Sequence, residues 1–245
     1  MKWIILTSLL ALVVLPGYGQ LDKKQVFLQN RMKTIANTNG GSQGGVFTFS
    51  EVVRREGHRF LFDDFVPGRV LFSGYEYLSE EVDLVIDGEF ERLYILFEDE
   101  TEGQLPLAQI QRIEVYPTVG DTVNYMVQDL GRLSSDASDG LRFYEVLHRG
   151  EQFTVLHHER KYLRKEEYME NVGIVRRPDE YKSLHSYYLI FDDELHKIKK
   201  NRRTIEKALP KYKRTIRQVE DATDNKLKDN DDLAQFFTDL EAKVR

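Results

Sequence analysis

From Val46 to Ile198 apolar and polar residues alternate in short runs, and most of the runs are bounded by turn-forming residues. In "VDLVI" (82–86), Val82, Leu84 and Ile86 share one parity; "RIEVY" (112–116) repeats the alternation and stops at Pro117. A period of two is that of a strand with one buried face. "RVLFSGYEY" (69–77) follows Pro67-Gly68, and Asp87-Gly88 separates "VDLVI" from "RLYILFE" (92–98). "NYMV" (124–127), "HSYYLIF" (185–191) and "LHKI" (195–198) continue the series, the last two joined by a tight turn at "DDE" (192–194). Such runs, with turn signals every ~8–12 residues, predict a mainly β, antiparallel domain over 46–198. Antiparallel sandwich, open barrel and curled sheet all satisfy the pattern. Runs such as "LYILF", apolar at both parities, predict strands covered on both faces.

Beyond Ile198 the pattern lengthens into a charged, α-helical C-terminal extension over 199–245. Pro210 suits the first turn of a helix, with Ile216 and Val219 as its apolar stripe. The last element is clearer. Asp229 or Asn230 suits the N-cap, Asp231 and Asp232 suit the positive end of the dipole, and Leu233, Phe236, Phe237 and Leu240 recur at the spacing of one buried face.

The first residues, "MKWIILTSLLALVVLPGYGQ", carry Lys2, an apolar run from Trp3 to Leu15, Pro16, and small residues at Gly17 and Gly19. This is the pattern of a secretory signal peptide over 1–19. Its thirteen-residue apolar run spans only ~20 Å as a helix, short of the ~30 Å hydrocarbon core. No cysteine follows the cut, so the bacterial lipoprotein route is excluded. Residues 20–45 read as an arm and a flexible linker, "ANTNGGSQGG" (36–45). No later run is long and apolar enough to span a bilayer as a helix. The expectation is an exported chain, periplasmic or associated with the outer envelope, or secreted. The absence of cysteine removes disulfides, thiolate nucleophiles and cysteine-bound zinc together. Loss of Lys2 takes the net charge from −6 to −7, which argues against nucleic acid as a partner.

The stretch most like chemistry is "LRFYEVLHRGEQFTVLHHERKYL" (141–163), with His148, His157 and His158. A two-residue turn at Arg149-Gly150 pairs His148 with Glu151, Tyr144 with Val155 and Arg142 with His157. His148 and His157 then stand ~20 Å apart, and the adjacent His157 and His158 point to opposite faces. The three cannot share one metal ion, whose nitrogens lie at ~2 Å. They read as ordinary strand and turn histidines, partly exposed, with His185 or His196 as distant residues that one of them can meet. No His-Glu-x-x-His or Gly-x-Ser-x-Gly motif occurs. Ser134, Ser135 and Ser138 lie in a polar loop, "LSSDASDG", whose Ser135 and Ala137 do not fit a calcium-binding loop. "EDE" (98–100) and "DDE" (192–194) read as acidic turns. No catalytic residue, metal ligand or cofactor site is assigned.

The compositional feature with functional weight is basic. From Lys197 to Arg217 there are ten Lys or Arg and one acid, Glu206; from Gln218 onward there are four basic and eight acidic residues. Lys199, Lys200, Arg202, Arg203, Lys211, Lys213, Arg214 and Arg217 are the candidate binding residues. They either form a solvated face meeting the acids of the sheet domain and tail, or dock an acidic envelope protein, a lipid headgroup or a polyanionic glycan.

Two segments together resemble a known family. "RFYEVLHRGEQFTVLHHERKYLRKE" and the ending from "YYLIFDDELHKIKKNRRTIEKALPKYKR" to "DDLAQFFTDL" are similar to exported Bacteroidetes proteins of unknown function. The positions that carry the likeness are Tyr144, Val146, Leu147 and Gly150, then Tyr187, Tyr188, Leu189, Lys200 and Leu209, then Leu233 and Leu240. Glu151 stands where that family usually has Lys. The resemblance implies an envelope compartment and no particular activity. The reading is therefore an exported, non-enzymatic binding or interaction module; the alternative is a carboxylate-dependent hydrolase acting on glycans or peptides.

Overall fold

A computed structural model describes residues 55–97, 100–134, 137, 139–165, 179–223 and 227–245. The leader over 1–19, the linker over 20–45 and most of "EDE" lie outside the described residues.

The fold is mainly β with three C-terminal helices. One continuous sheet holds ten antiparallel strands and a two-residue parallel strand, and it does not close into a barrel. β1 (Arg55–Glu56) is followed by the meander β2 (Val66–Phe72), β3 (Val82–Asp87), β4 (Arg92–Leu96) and β5 (Glu102–Leu105). β6 (Ile110–Val115) returns to the far side of β2. A second meander follows: β7 (Val123–Gln128), β8 (Arg142–Arg149), β9 (Thr154–Arg164), β10 (Asp179–Phe191) and β11 (Glu194–Ile198). The spatial order is β1-β10-β9-β8-β7-β6-β2-β3-β4-β5, with β11 also on β10. Each strand expected from the alternation is present. The alternation missed β5, "EGQL", because Gly103 leaves only one apolar side chain to pattern it.

Three apolar clusters hold the sheet. Val70, Phe72, Leu84, Ile86, Leu93, Ile95 and Ile113 fill the core of β2–β7. Tyr144, Leu156 and Tyr188 pack on one face of β8–β10, and Phe153, Val155, Leu189 and Phe191 pack on the other against the helices. Double-sided cover is realised in β3, where Val85 and Ile86 are both buried; β4 instead alternates, leaving Tyr94 and Leu96 half-buried.

The β8–β9 hairpin departs from the expected register. His148 faces Val155 and Arg149 faces Thr154, so the loop has four residues, 150–153, closed by the Gly150 N–H donating to the Phe153 carbonyl at 2.9 Å. A bulge between Val146 and His148 then shifts the ladder by one residue, and Glu145, not Arg142, stands opposite His157. "DDE" does make a tight turn. Asp192 and Asp193 both have positive φ, 51° and 61°, as a two-residue turn matched to strand twist requires, while Glu194 already belongs to β11.

The extension folds onto the sheet rather than beside it. α1 (Arg202–Ala208) starts at Asn201, whose side chain accepts from the Thr204 amide. Pro210 opens a 3-10 turn that leads into α2 (Lys213–Thr223), and Asp229 caps α3 (Asn230–Val244) by accepting from the Asp232 amide. Ile205, Ile216, Val219, Leu233, Phe236, Phe237 and Leu240 are all buried in the cluster that contains Phe153 and Leu189. No described helix is long and apolar enough to cross a membrane.

Candidate functional site

The eight candidate cations divide into two sets. Glu206, at the centre of α1, gathers three of them: Arg217 Nε at 2.9 Å, Arg202 Nε at 3.6 Å and Lys213 Nζ at 3.9 Å. The hydrogen bond from Arg217, with the charges of Lys213 and Arg202, holds the Glu206 carboxyl below its ordinary pKa. Arg202 also reaches Glu220 in α2 at 2.5 Å. Lys211 bonds Asp192 at 3.1 Å and lies over the Phe191 and Tyr212 rings, at 4.3 and 5.1 Å. Lys200 sits 5.3 Å from the centre of the Tyr187 ring. Lys199, Arg203 and Arg214 are exposed, with no carboxylate partner among the described residues, and Lys207 joins them one turn after Arg203. Part of the basic stretch therefore meets acids of the sheet and tail, and part has no carboxylate partner among the described residues.

Each hairpin histidine meets a carboxylate, from a different part of the chain. His148 Nε2 lies 2.6 Å from Glu241 in α3, His157 Nδ1 2.6 Å from Glu145 in β8, and His158 Nε2 2.7 Å from Glu91 in the β3–β4 turn. They are separate, as expected, although the four-residue loop brings His148 within two ladder positions of His157. His148 turns to the C-terminal end of α3 and His157 to its N-terminal end. Asn230 and Glu241 are ~16 Å apart along that helix. His157 and His158 are buried rather than partly exposed, because α3 covers one face of β9 and the Glu91 turn the other.

His157 anchors the most connected polar group. Asn230 Nδ2 donates to Glu145 Oε2 at 3.1 Å and contacts His157 Nδ1 at 3.1 Å, and its amide oxygen accepts from the Tyr187 hydroxyl at 3.0 Å. His157 stacks on Tyr187, and its Nε2 meets Nδ1 of His185 at 2.9 Å. Burial lowers the pKa of His185; Glu159 opposes that, and the charges of His157, Lys200 and Lys161 reinforce it. A carboxylate–imidazole–imidazole chain therefore runs from under α3 to the exposed His185.

Beside it, the Ser183 hydroxyl donates to Glu159 at 2.8 Å and accepts from Lys161 at 2.9 Å, and Lys161 also pairs with Glu159 at 2.8 Å. Among the described residues no three His, Asp or Glu side chains converge as ligands of a metal ion. A half-open groove of about 370 Å³ lies between the β8–β9 loop, the β10–β11 turn and the 3-10 turn, lined by Gln152, Thr154, Phe191, Asp193, Lys211 and Tyr212.

Glu145, Glu91 and Glu241 were not singled out by sequence reasoning, and Asn230 was read only as a candidate helix cap. Their partners lie 12 to 93 residues away, and an acid in a strand or helix carries no local mark of such a contact. Comparison with family models, curated proteins and solved structures returned no significant match.

Proposed function

We propose that this protein is an exported, non-enzymatic binding module of the cell envelope, periplasmic or associated with the outer envelope, whose C-terminal helices present cations to an acidic envelope protein. The observation that carries the reading is the exposed set Lys199, Arg203, Lys207 and Arg214. Among the described residues these four have no carboxylate partner, while neighbouring Arg202, Lys213 and Arg217 gather around Glu206. A basic stretch serving only to hold the helices together leaves no such remainder in a tail with eight acids after residue 217. The helices that carry Arg203, Lys207 and Arg214 are pinned by a shared apolar core, so a partner meets a rigid surface with little ordering cost. The leader pattern at 1–19 and the likeness to exported Bacteroidetes proteins support the compartment.

The test is crosslinking and pull-down from the native envelope, comparing the natural chain with K199E/R203E/K207E/R214E. A protein partner captured by the first and lost by the second supports the reading. Capture of lipid or polyanionic glycan instead reassigns the partner, and equal capture by both chains refutes the role of the tail.

A hydrolase acting on glycans or peptides is the second reading, favoured only by the Glu145–His157–His185 chain, which can pass a proton to the surface. Turnover of a hydrolase substrate panel that disappears in H185Q supports it.

A further inference from the structure

The longest strand carries an edge that is only partly used. β10 spans thirteen residues, and β9 pairs one of its edges from Glu180 to Ile190. The opposite edge is shared: β1 meets it at Asp179 and Glu180, and β11 meets it from Tyr187 to Phe191. Between these lies the stretch 181–186. Gly57, with φ 73°, turns the chain away after β1, and beyond β11 the Lys199 amide is taken by the Thr204 hydroxyl.

The ladder says which backbone groups face outward. Lys161 donates its amide to the Gly88 carbonyl at 2.9 Å, on the side of β9 away from β10. Lys161 stands opposite Ser183, so this pair exchanges no hydrogen bonds, and the amide and carbonyl of Ser183 point to the outer edge. The same parity carries His185 outward. It continues to Tyr187, Leu189 and Phe191, where β11 supplies the partners. Among the described residues Ser183 and His185 have no backbone partner on that side.

The side chains around the gap are apolar and basic. Leu184 is 55% exposed and Tyr162 is 43% exposed, on the same face of the two strands. Arg160 faces Leu184 and Lys182 faces Tyr162. Lys182 is paired with Glu180, whereas the exposed Arg160 and Arg164 have no carboxylate partner among the described residues. Lys200, over the Tyr187 ring, stands at the β11 end of the gap.

We propose that the outer edge of β10 at 181–186 takes up a short, extended, acidic segment of a partner protein as an added strand. Main-chain bonds to Ser183 and His185 supply the pairing, and alternate side chains of the segment lie on Leu184 and Tyr162. Carboxylates among those side chains reach Arg160 and Arg164, which share that face, and one pointing to the opposite face reaches Lys200. β1 and β11 limit the added strand to ~20 Å, the length of six residues. A second copy of the chain in the same place brings two sets of these cations to one seam, which opposes self-pairing. The proposal rests on the reading as a binding module but uses a surface other than the four tail cations, so failure of the tail test leaves it standing.

The test uses the full chain with two labelled peptides, (Glu-Val)4 and (Lys-Val)4, read by fluorescence anisotropy and by amide hydrogen exchange. The acidic peptide is expected to bind, to weaken with salt, and to slow exchange at Ser183 and His185. S183P removes an amide that β9 does not use, a position where an edge strand tolerates proline. It is expected to weaken binding at least tenfold. R160E/R164E is expected to do the same and to admit the basic peptide; this variant and the exchange data decide the matter even where S183P fails to fold. Unchanged exchange at both amides, or binding that ignores both variants, overturns the proposal. So does a dimer in sedimentation that S183P dissolves, because the occupant is then a second copy.

Discussion

Glu241 in α3 lies 2.6 Å from His148 Nε2 in β8, across 93 residues of chain. The same carboxylate accepts the amide of Glu151 at 2.5 Å and that of Gln152 at 3.0 Å. It thus satisfies the backbone of the four-residue hairpin loop as an N-cap satisfies a helix, but from another element. Gly150 permits this approach, since a Cβ there collides with the Glu241 carboxylate. The helix and the hairpin loop are built as one joint.

Replacing that carboxylate removes a charged acceptor from three donors. E241Q is expected to cost about 1.5–3 kcal/mol of stability, read from chemical denaturation. G150A, which forces the carboxylate away, is expected to destabilise as well. In G150A/E241A the two losses combine to less than their sum, because they act on one contact.

Acid should release the same joint. Burial pushes the Glu241 pKa up, but His148 and the amides of Gln152 and Glu151 outweigh it, so the folded value lies below the ordinary 4.5. The unfolded chain therefore takes up the proton first. The stabilisation is complete above about pH 4.5 and is lost as pH falls through the folded value. Acid titration followed by tryptophan-independent probes such as far-ultraviolet circular dichroism is expected to show a shallower slope in E241Q.

His185 works in a higher window. Its folded pKa lies below the ordinary 6.5, chiefly through burial. Below pH 6.5 the unfolded chain binds the proton more readily, so stability falls from there down to the folded value. H185Q is expected to flatten the dependence between pH 7 and pH 5, measured as the denaturation midpoint.

Phe237 packs edge-on against Phe153 and Phe236 with no solvent exposure. F237A is expected to cost about 3–5 kcal/mol, checked by thermal and chemical unfolding.

Deleting 199–245 bares Phe153, Val155, Leu189 and Phe191, which the helices cover. The shortened chain is expected to be insoluble or to expose apolar surface to a hydrophobic dye. A soluble, cooperatively folded product refutes the capping role of the tail.

Much of the fold was legible because each element announces itself locally. "RIEVY" alternates, and Leu233, Phe236, Phe237 and Leu240 repeat at helical spacing, and their buried faces follow those periods; "VDLVI" alternates too, but β3 is buried on both faces. The hairpin failed at one detail. Arg149-Gly150 was read as the turn, but Gly150 is the first residue of a longer loop whose amides are met by Glu241, and nothing near position 150 reports a helix ninety residues on. The site divided in the same way. The basic stretch and the separateness of the three histidines were readable from residue types and spacing. The gathering of Arg202, Lys213 and Arg217 around Glu206 was not, because it depends on how α1 and α2 turn at Pro210.

The sequence by itself determined the strand-rich body, the helical ending, the cap at Asp229 and the excess of cations between them, since these depend on neighbours within a few residues. Tertiary structure alone decided that the sheet stays open and that His157 reaches His185. It also decided which cations lack a carboxylate partner among the described residues, and that Ser183 and His185 of β10 have no backbone partner among them on their outer side. Those outcomes are set by contacts between segments far apart in the chain. Their energy comes from burial and from charges brought together, and no local period encodes either.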